Sequence, residues 1–227
     1  MLFNPSLKVL SVLFHTCLLF LRAQARRSAE FVTYGSVLKL MNPEFEVRLH
    51  SHDIKYGTGS GQQSVTATKL QEDVNSHWAI TPAMAQYRSR GDAVKCGDII
   101  RLLHLETKMN LHSHLFPSPL SGNQEVSAYG KNGEGDSGDH WEVICDTGDW
   151  LRRDTIKLRH VDTDKFLGVS SKVYNRPITG QYEVAGFDSS VKKSMISWKA
   201  MEGVFVHPNE EFKAQFNTYS HPVHTEL

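Results

Sequence analysis

The residues with the most evident capacity for chemistry are two copies of one tetrapeptide, Leu49-His-Ser-His52 and Leu111-His-Ser-His114. Imidazole is a common zinc ligand, and two His at i and i+2 of a strand share a face. The same alternation turns Leu49 and Ser51 inward and His50 and His52 outward. The two copies stand in different segments of the chain, so four ligands need not converge. A third related segment offers Phe166, Gly168 and Ser170 at the matching places. The pairs His50/His52 and His112/His114 therefore read as a solvent-side repeat feature. A contact with a partner, or a pH-responsive one, is the functional alternative, and no metal is expected.

Gly61-Gln-Gln63 and Gly122-Asn-Gln124 offer a second kind of chemistry. The amides of Gln62, Gln63, Asn123 and Gln124 could meet a sugar hydroxyl or a peptide backbone. Equally, the Gly supplies a turn angle while the amides satisfy nearby main chain. Trp78, Trp141 and Trp198 could stack on a sugar ring, but Ile80, Val143 and Ala200 two positions on make an inward core layer the simpler reading. Gly57-Thr-Gly59 is followed by no Lys-Ser/Thr and no helix, which excludes a phosphate cradle. The acidic stretch Gly133 to Asp139 lacks EF-hand spacing and reads as a solvated loop. No nucleophile elbow, His-Glu-x-x-His or Cys-x-x-Cys is present, so no catalytic set emerges and no cofactor is expected.

The elements that position these residues are three copies of one theme. Gly35-Ser-Val-Leu-Lys-Leu40 returns as Gly97-Asp-Ile-Ile-Arg-Leu102 and more faintly as Asp154-Thr-Ile-Lys-Leu158. Nine residues after each final Leu stands another, Leu49, Leu111 and Leu167, and each copy closes on its Trp. The Trp residues are offset by 63 (141 less 78) and 57 (198 less 141) positions. Each copy holds short β-branched or apolar runs, in the first Val37 to Leu40, Val47 to Leu49, Val65 to Thr68 and Trp78 to Ile80, broken by polar and Gly-rich turns. Four strands taken three times predict about twelve, with at best a short connector helix over Pro82 to Arg90. Three units are too few for a propeller. The pattern fits an all-β fold, a pseudo-threefold β-trefoil in which a closed barrel leaves no exposed sheet edge.

The two ends differ from this body. Lys8 precedes an apolar run from Val9 to Leu21, and Ala23-Gln-Ala25 follows, which reads as a signal peptide over residues 1–25. The run is too short to span a bilayer, so no membrane attachment is expected after cleavage. The chain closes on His224, Thr225, Glu226 and Leu227, similar to the Lys/His-Asp-Glu-Leu signals read by a retrieval receptor of the endoplasmic reticulum; Thr225 replaces the usual acid. Residues 207–227 read as a polar tail presenting that signal. The full chain has Lys+Arg 25 against Asp+Glu 25. Removing residues 1–25 takes Lys8 and Arg22 and no acid, leaving 23 against 25, which excludes the electrostatic footprint of a nucleic-acid binder. Cys17 leaves as well. In an oxidising lumen the remaining pair, Cys96 and Cys145, reads as a disulfide, with two buried thiols as the alternative.

Together, Leu49-His-Ser-His52, the run Tyr56 to Thr66, the run Leu111 to Val126 and Trp198-Lys-Ala-Met-Glu-Gly-Val-Phe205 resemble the MIR-domain proteins, and among them the stromal cell-derived factor 2 family. The resemblance runs over residues 32–206 and implies a trefoil domain over 26–206, with MIR repeats at about 32–81, 94–145 and 151–200. It further implies a non-catalytic protein of the endoplasmic reticulum lumen, serving protein quality control and the unfolded protein response. Such a protein is a partner of a J-domain co-chaperone and, through it, of a BiP-type chaperone handling unfolded or glycosylated clients. A lectin-like binder of mannosyl glycans on secretory clients is the alternative.

Overall fold

The computed structural model describes residues 30–209. The first unit contains β1 (Val37–Asn42), β2 (Val47–Lys55), β3 (Gln63–Thr68) and β4 (Trp78–Pro82). The second contains β5 (Ile99–His104), β6 (Asn110–Pro117), β7 (Gln124–Tyr129) and β8 (Trp141–Ile144). The third contains β9 (Thr155–His160), β10 (Phe166–Val173), β11 (Tyr182–Phe187) and β12 (Trp198–Val204).

The first and last strands of the units close a six-stranded barrel: β1 pairs β4, β4 pairs β5, β5 pairs β8, β8 pairs β9, β9 pairs β12, and β12 returns to β1. The middle strands form the hairpins β2–β3, β6–β7 and β10–β11. Their inner strands pair with one another in a triangle, β3–β7, β7–β11 and β11–β3, which caps one end. The opposite end closes with a ring of three main-chain bonds. Val32 N donates to Trp150 O, Trp150 N to Val94 O and Val94 N to Val32 O, at 2.8–3.0 Å. This is a β-trefoil. Among these described elements no backbone edge of the barrel is left unpaired.

The repeated Leu and Trp residues interlock. Trp78, Trp141 and Trp198 are fully buried, and each indole Nε1 donates to the carbonyl of Leu49, Leu111 or Leu167 at 2.9–3.0 Å. The recurrence of Leu and Trp in step is thus one tertiary contact made three times: an apolar ring fills the barrel while its only polar atom finds a partner.

One local expectation is corrected. Pro82 to Arg90 contains no helix; it is an irregular connection with Ala85 at φ 58°. The short helices are instead three 3₁₀ turns before the Trp strands, at Val74–Ser76, Ser137–Asp139 and Lys193–Ile196. Three or four residues carry too little periodicity to be read from sequence.

Candidate functional site

The His pairs lie on the outer face of the hairpin strands, as alternation requires, but His50 and His112 do not face solvent. Each is only 5 % exposed, because the 3₁₀ turn of its own unit folds over it. His50 Nδ1 meets Asp73 Oδ2 at 2.7 Å, and His112 Nδ1 meets Asp139 Oδ1 at 2.9 Å. Strand alternation distinguishes core from outer face; it does not say what covers the outer face.

The second His of each pair finds a different partner. His52 Nδ1 lies 2.7 Å from His50 Nε2, and its Nε2 lies 3.2 Å from Ser64 Oγ. Burial, with the neighbouring His50 second, pushes His52 down to about 4, so it is neutral at pH 7. Burial would raise Asp73, but hydrogen bonds from Ser76 and His50 outweigh it and hold the carboxyl below its ordinary value. His114 Nε2 instead meets Glu125 Oε1 at 3.0 Å, and Glu125 is fully buried. His112, Asp136 and Asp139 bring three ligand-type atoms within 4.8 Å of one another. Yet both oxygens of Asp139 are already engaged, by His112, Asn110 and the main chain of Asp136, so the group is a satisfied hydrogen-bond cluster.

The repeated amides are mostly spent on the fold. Gln63 Nε2 donates to Ser51 Oγ at 2.7 Å and, across the seam between the first two units, to Thr107 Oγ1 at 2.9 Å. Gln124 Nε2 repeats this with Ser113 Oγ and Thr163 Oγ1 at 2.7 and 2.8 Å. Asn123 Nδ2 donates to Ser121 Oγ within its own turn, and Gln62 Oε1 accepts from Ser127 Oγ. At the third seam Tyr182 replaces Gln and Phe45 replaces Thr, and their rings meet at 5.7 Å. A polar pair has become an aromatic pair on both sides at once.

Sequence reasoning passed over the buried carboxylates. Glu125 receives Ser60 Oγ and Ser60 N from the first unit, and Glu183 receives Leu120 N and Ser121 N of the second at 2.8 and 3.0 Å. The strands β7 and β11 thus each hold down a loop of the preceding unit, whereas β3 has Ser64 at the matching place, bonded to Ile54 O of its own unit. Gly59 suits the loop that Glu125 holds, at φ 68° and so close that a Cβ on it would stand 2.0 Å from Glu125 Oε2 and force the carboxylate to shift. The Gly57-Thr-Gly59 loop therefore wraps the protein's own carboxylate. The only available signal was the recurrence of Glu before Val126 and Val184.

Cys96 and Cys145 form a disulfide with their Cα atoms 5.2 Å apart, tying the entry of the second barrel segment to the end of β8. Residues 1–25, read as a signal peptide, and His224 to Leu227, read as a retrieval signal, lie outside the described residues. Among the described residues, no helix is long and apolar enough to cross a membrane.

Comparison with known proteins agrees with this architecture. The MIR domain family matches residues 44–149. Stromal cell-derived factor 2-like protein 1 of Homo sapiens is 51 % identical over 187 residues, covering 82 % of this chain and 84 % of the relative. The crystal structure of the SDF2-like protein from Arabidopsis thaliana superposes with a TM-score of 0.76 at 45 % identity, over 79 % of this chain and 99 % of that one. A Caenorhabditis elegans structure of unknown function superposes with a TM-score of 0.74 at 53 % identity, over 77 % and 98 % of the two chains. With half its residues shared along the trefoil, the chain belongs to the stromal cell-derived factor 2 family of MIR-domain proteins.

Proposed function

We propose that this protein is a non-catalytic binding module of the endoplasmic reticulum lumen that docks on a J-domain co-chaperone and thereby assists a BiP-type chaperone with unfolded or glycosylated clients. The observation that carries the reading is the placing of a family trefoil between two addresses, the apolar leader over residues 1–25 and the tail His224-Thr225-Glu226-Leu227. The internal economy of the outer face is consistent with it. His50, His112, Asp139, Glu125 and Glu183 are buried and bonded to neighbouring side chains or main chain, an arrangement that shapes a rigid surface and leaves, among the described residues, no nucleophile and base poised at a cleft. Rigid domains with pre-set loops bind partners without paying for ordering.

The test is affinity recovery of the tagged protein from lumenal extract under mild detergent. A J-domain protein in near-stoichiometric amount is the expected companion, with the BiP-type chaperone substoichiometric and nucleotide-dependent. Recovery of the trefoil alone, or only with the retrieval receptor, would sink the proposal. Replacing Glu226-Leu227 should release the protein into the medium without altering co-chaperone capture.

A further inference from the structure

The pseudo-threefold axis provides an internal control, since what the fold requires recurs at three seams and what occurs once needs a separate explanation. At each seam a hairpin strand lies against the next unit in equivalent register: Gln63 opposite Ala128, Gln124 opposite Gly186, and Tyr182 opposite Ala67. Side chains cover the second and third seams. At the second, Lys165 lies over Gly186, its Cβ 3.0 Å from where a Gly186 Cβ would stand, and its ammonium pairs with Asp188. At the third, Tyr182 packs on Phe45 while the Lys69 ammonium sits 5.6 Å from its ring centre.

The first seam has neither cover. Met109 and Gly130 stand where the second seam has Lys165 and Asp188, and they cannot form an ion pair across it. A groove of about 410 Å³ remains, lined by Asp53, Lys55, Gln62, Gln63, Tyr129 and Lys131. That volume falls within the ~300–1,000 Å³ usual for small-ligand sites.

Its lining is chemically open. Asp53, Lys55 and Lys131 make no ion pair among the described residues. Gln62 spends its oxygen on Ser127 and keeps its amide N–H groups, while Gln63 Oε1 is a buried acceptor with no donor. Tyr129 is 39 % exposed, with His112 against part of its ring at 4.8 Å and its hydroxyl unpartnered among the described residues. Donors and acceptors therefore alternate around a half-open aromatic ring. The floor is a paired stretch of β3 and β7, so no strand edge is available to an added peptide strand.

We infer that this seam is a saccharide site, which takes one neutral pyranose ring of a glycan with its C–H face on Tyr129 and its hydroxyls among Asp53, Lys55, Gln62 and Lys131. Vicinal hydroxyls both donate and accept, which is the complement of this lining, and a near balance of charge suits a neutral ligand. The inference rests on the glycan-binding alternative raised by the sequence. It places that alternative at one seam, whereas the sequence distributes it over repeated amides.

The test is an NMR titration of the ¹⁵N-labelled protein with methyl pyranosides of mannose, glucose, galactose and N-acetylglucosamine, and in parallel with a blocked Leu/Ser hexapeptide. At least one pyranoside should move the amides of Gln62, Gly130 and Lys131 and leave Asn123 and Asp188 still. Tyr129→Ala should weaken that titration by about tenfold or more, and Tyr129→Phe should retain it. Lys131→Ala, an exposed loop change, should weaken it as well, with an unchanged melting curve. The inference is overturned if no pyranoside moves these amides at about 50 mM, if the hexapeptide alone moves them, or if Tyr129→Ala titrates like the parent. Co-chaperone capture by Tyr129→Ala is expected unchanged, so failure at the seam and failure of the lumenal partnership read out separately.

Discussion

His52 should make this trefoil acid-sensitive well above the range where carboxylates titrate. Burial and the adjacent His50 hold His52 at about 4, against 6.5 for a free imidazole. Between those values the unfolded chain takes up a proton on His52 and the folded chain does not, so protons favour unfolding. The stabilisation is fully present above about pH 6.5, is lost progressively as the pH falls, and is exhausted near pH 4. At about 1.4 kcal/mol per unit the full difference approaches ~3.4 kcal/mol; His52 is only partly covered, and solvent screening reduces this to about 1–2 kcal/mol. Burial also lowers His104 and His160, which adds loss in the same direction. The assay is urea unfolding followed by Trp fluorescence at about pH 7.5 and about pH 4.5. His52→Gln should shrink the pH-dependent drop by about 1–2 kcal/mol, leaving the part due to His104 and His160. Parallel losses in variant and parent, within about 0.5 kcal/mol, would refute the reasoning.

Other perturbations test other joints of the fold. Cys96→Ser with Cys145→Ser opens a loop of 49 residues and should cost about 2–4 kcal/mol, read as a lower urea midpoint matched by the parent under reductant. Trp141→Phe keeps most of the ring but orphans the Leu111 carbonyl, and should cost about 2–4 kcal/mol by thermal melting. Gly168→Ala would place a Cβ 2.7 Å from the Phe187 ring and 2.9 Å from Ile196 Cγ2, with an expected loss of about 1–3 kcal/mol; an unchanged melting point would show that this pocket yields.

How much of the fold could be read from sequence follows from what each residue touches. Leu49, Leu111 and Leu167 and the three Trp were legible because the same contact is made three times, and repetition at a near-constant offset survives in one dimension. The burial of His50 was not legible, because its cover is a turn 23 residues away whose Asp73 carries no mark distinguishing it from a solvated acid. Thr107 and Thr163 are similar: each takes a hydrogen bond from a Gln of the preceding unit, and no local pattern announces it.

The third unit shows why the departures from symmetry carry more information than the repeats. Gly168 stands where the other units have His50 and His112, and the space of an imidazole is taken by Phe187 and Ile196. Phe187 in turn matches Tyr129, and Thr68 in the first unit, so one position on the last strand of each hairpin holds a buried ring, a half-exposed ring and a hydroxyl. A fold that needed only closure would be served by the same residue three times. The buried version completes an apolar cluster and forgoes the His–Asp pair, whereas the half-exposed version at Tyr129 keeps the His112–Asp139 pair behind it and turns the rest of its ring to an uncovered groove. His112 and Asp139 thus act as the support for Tyr129. Replacing His112 should therefore disturb the ring that the groove depends on even though the imidazole itself is out of a ligand's reach.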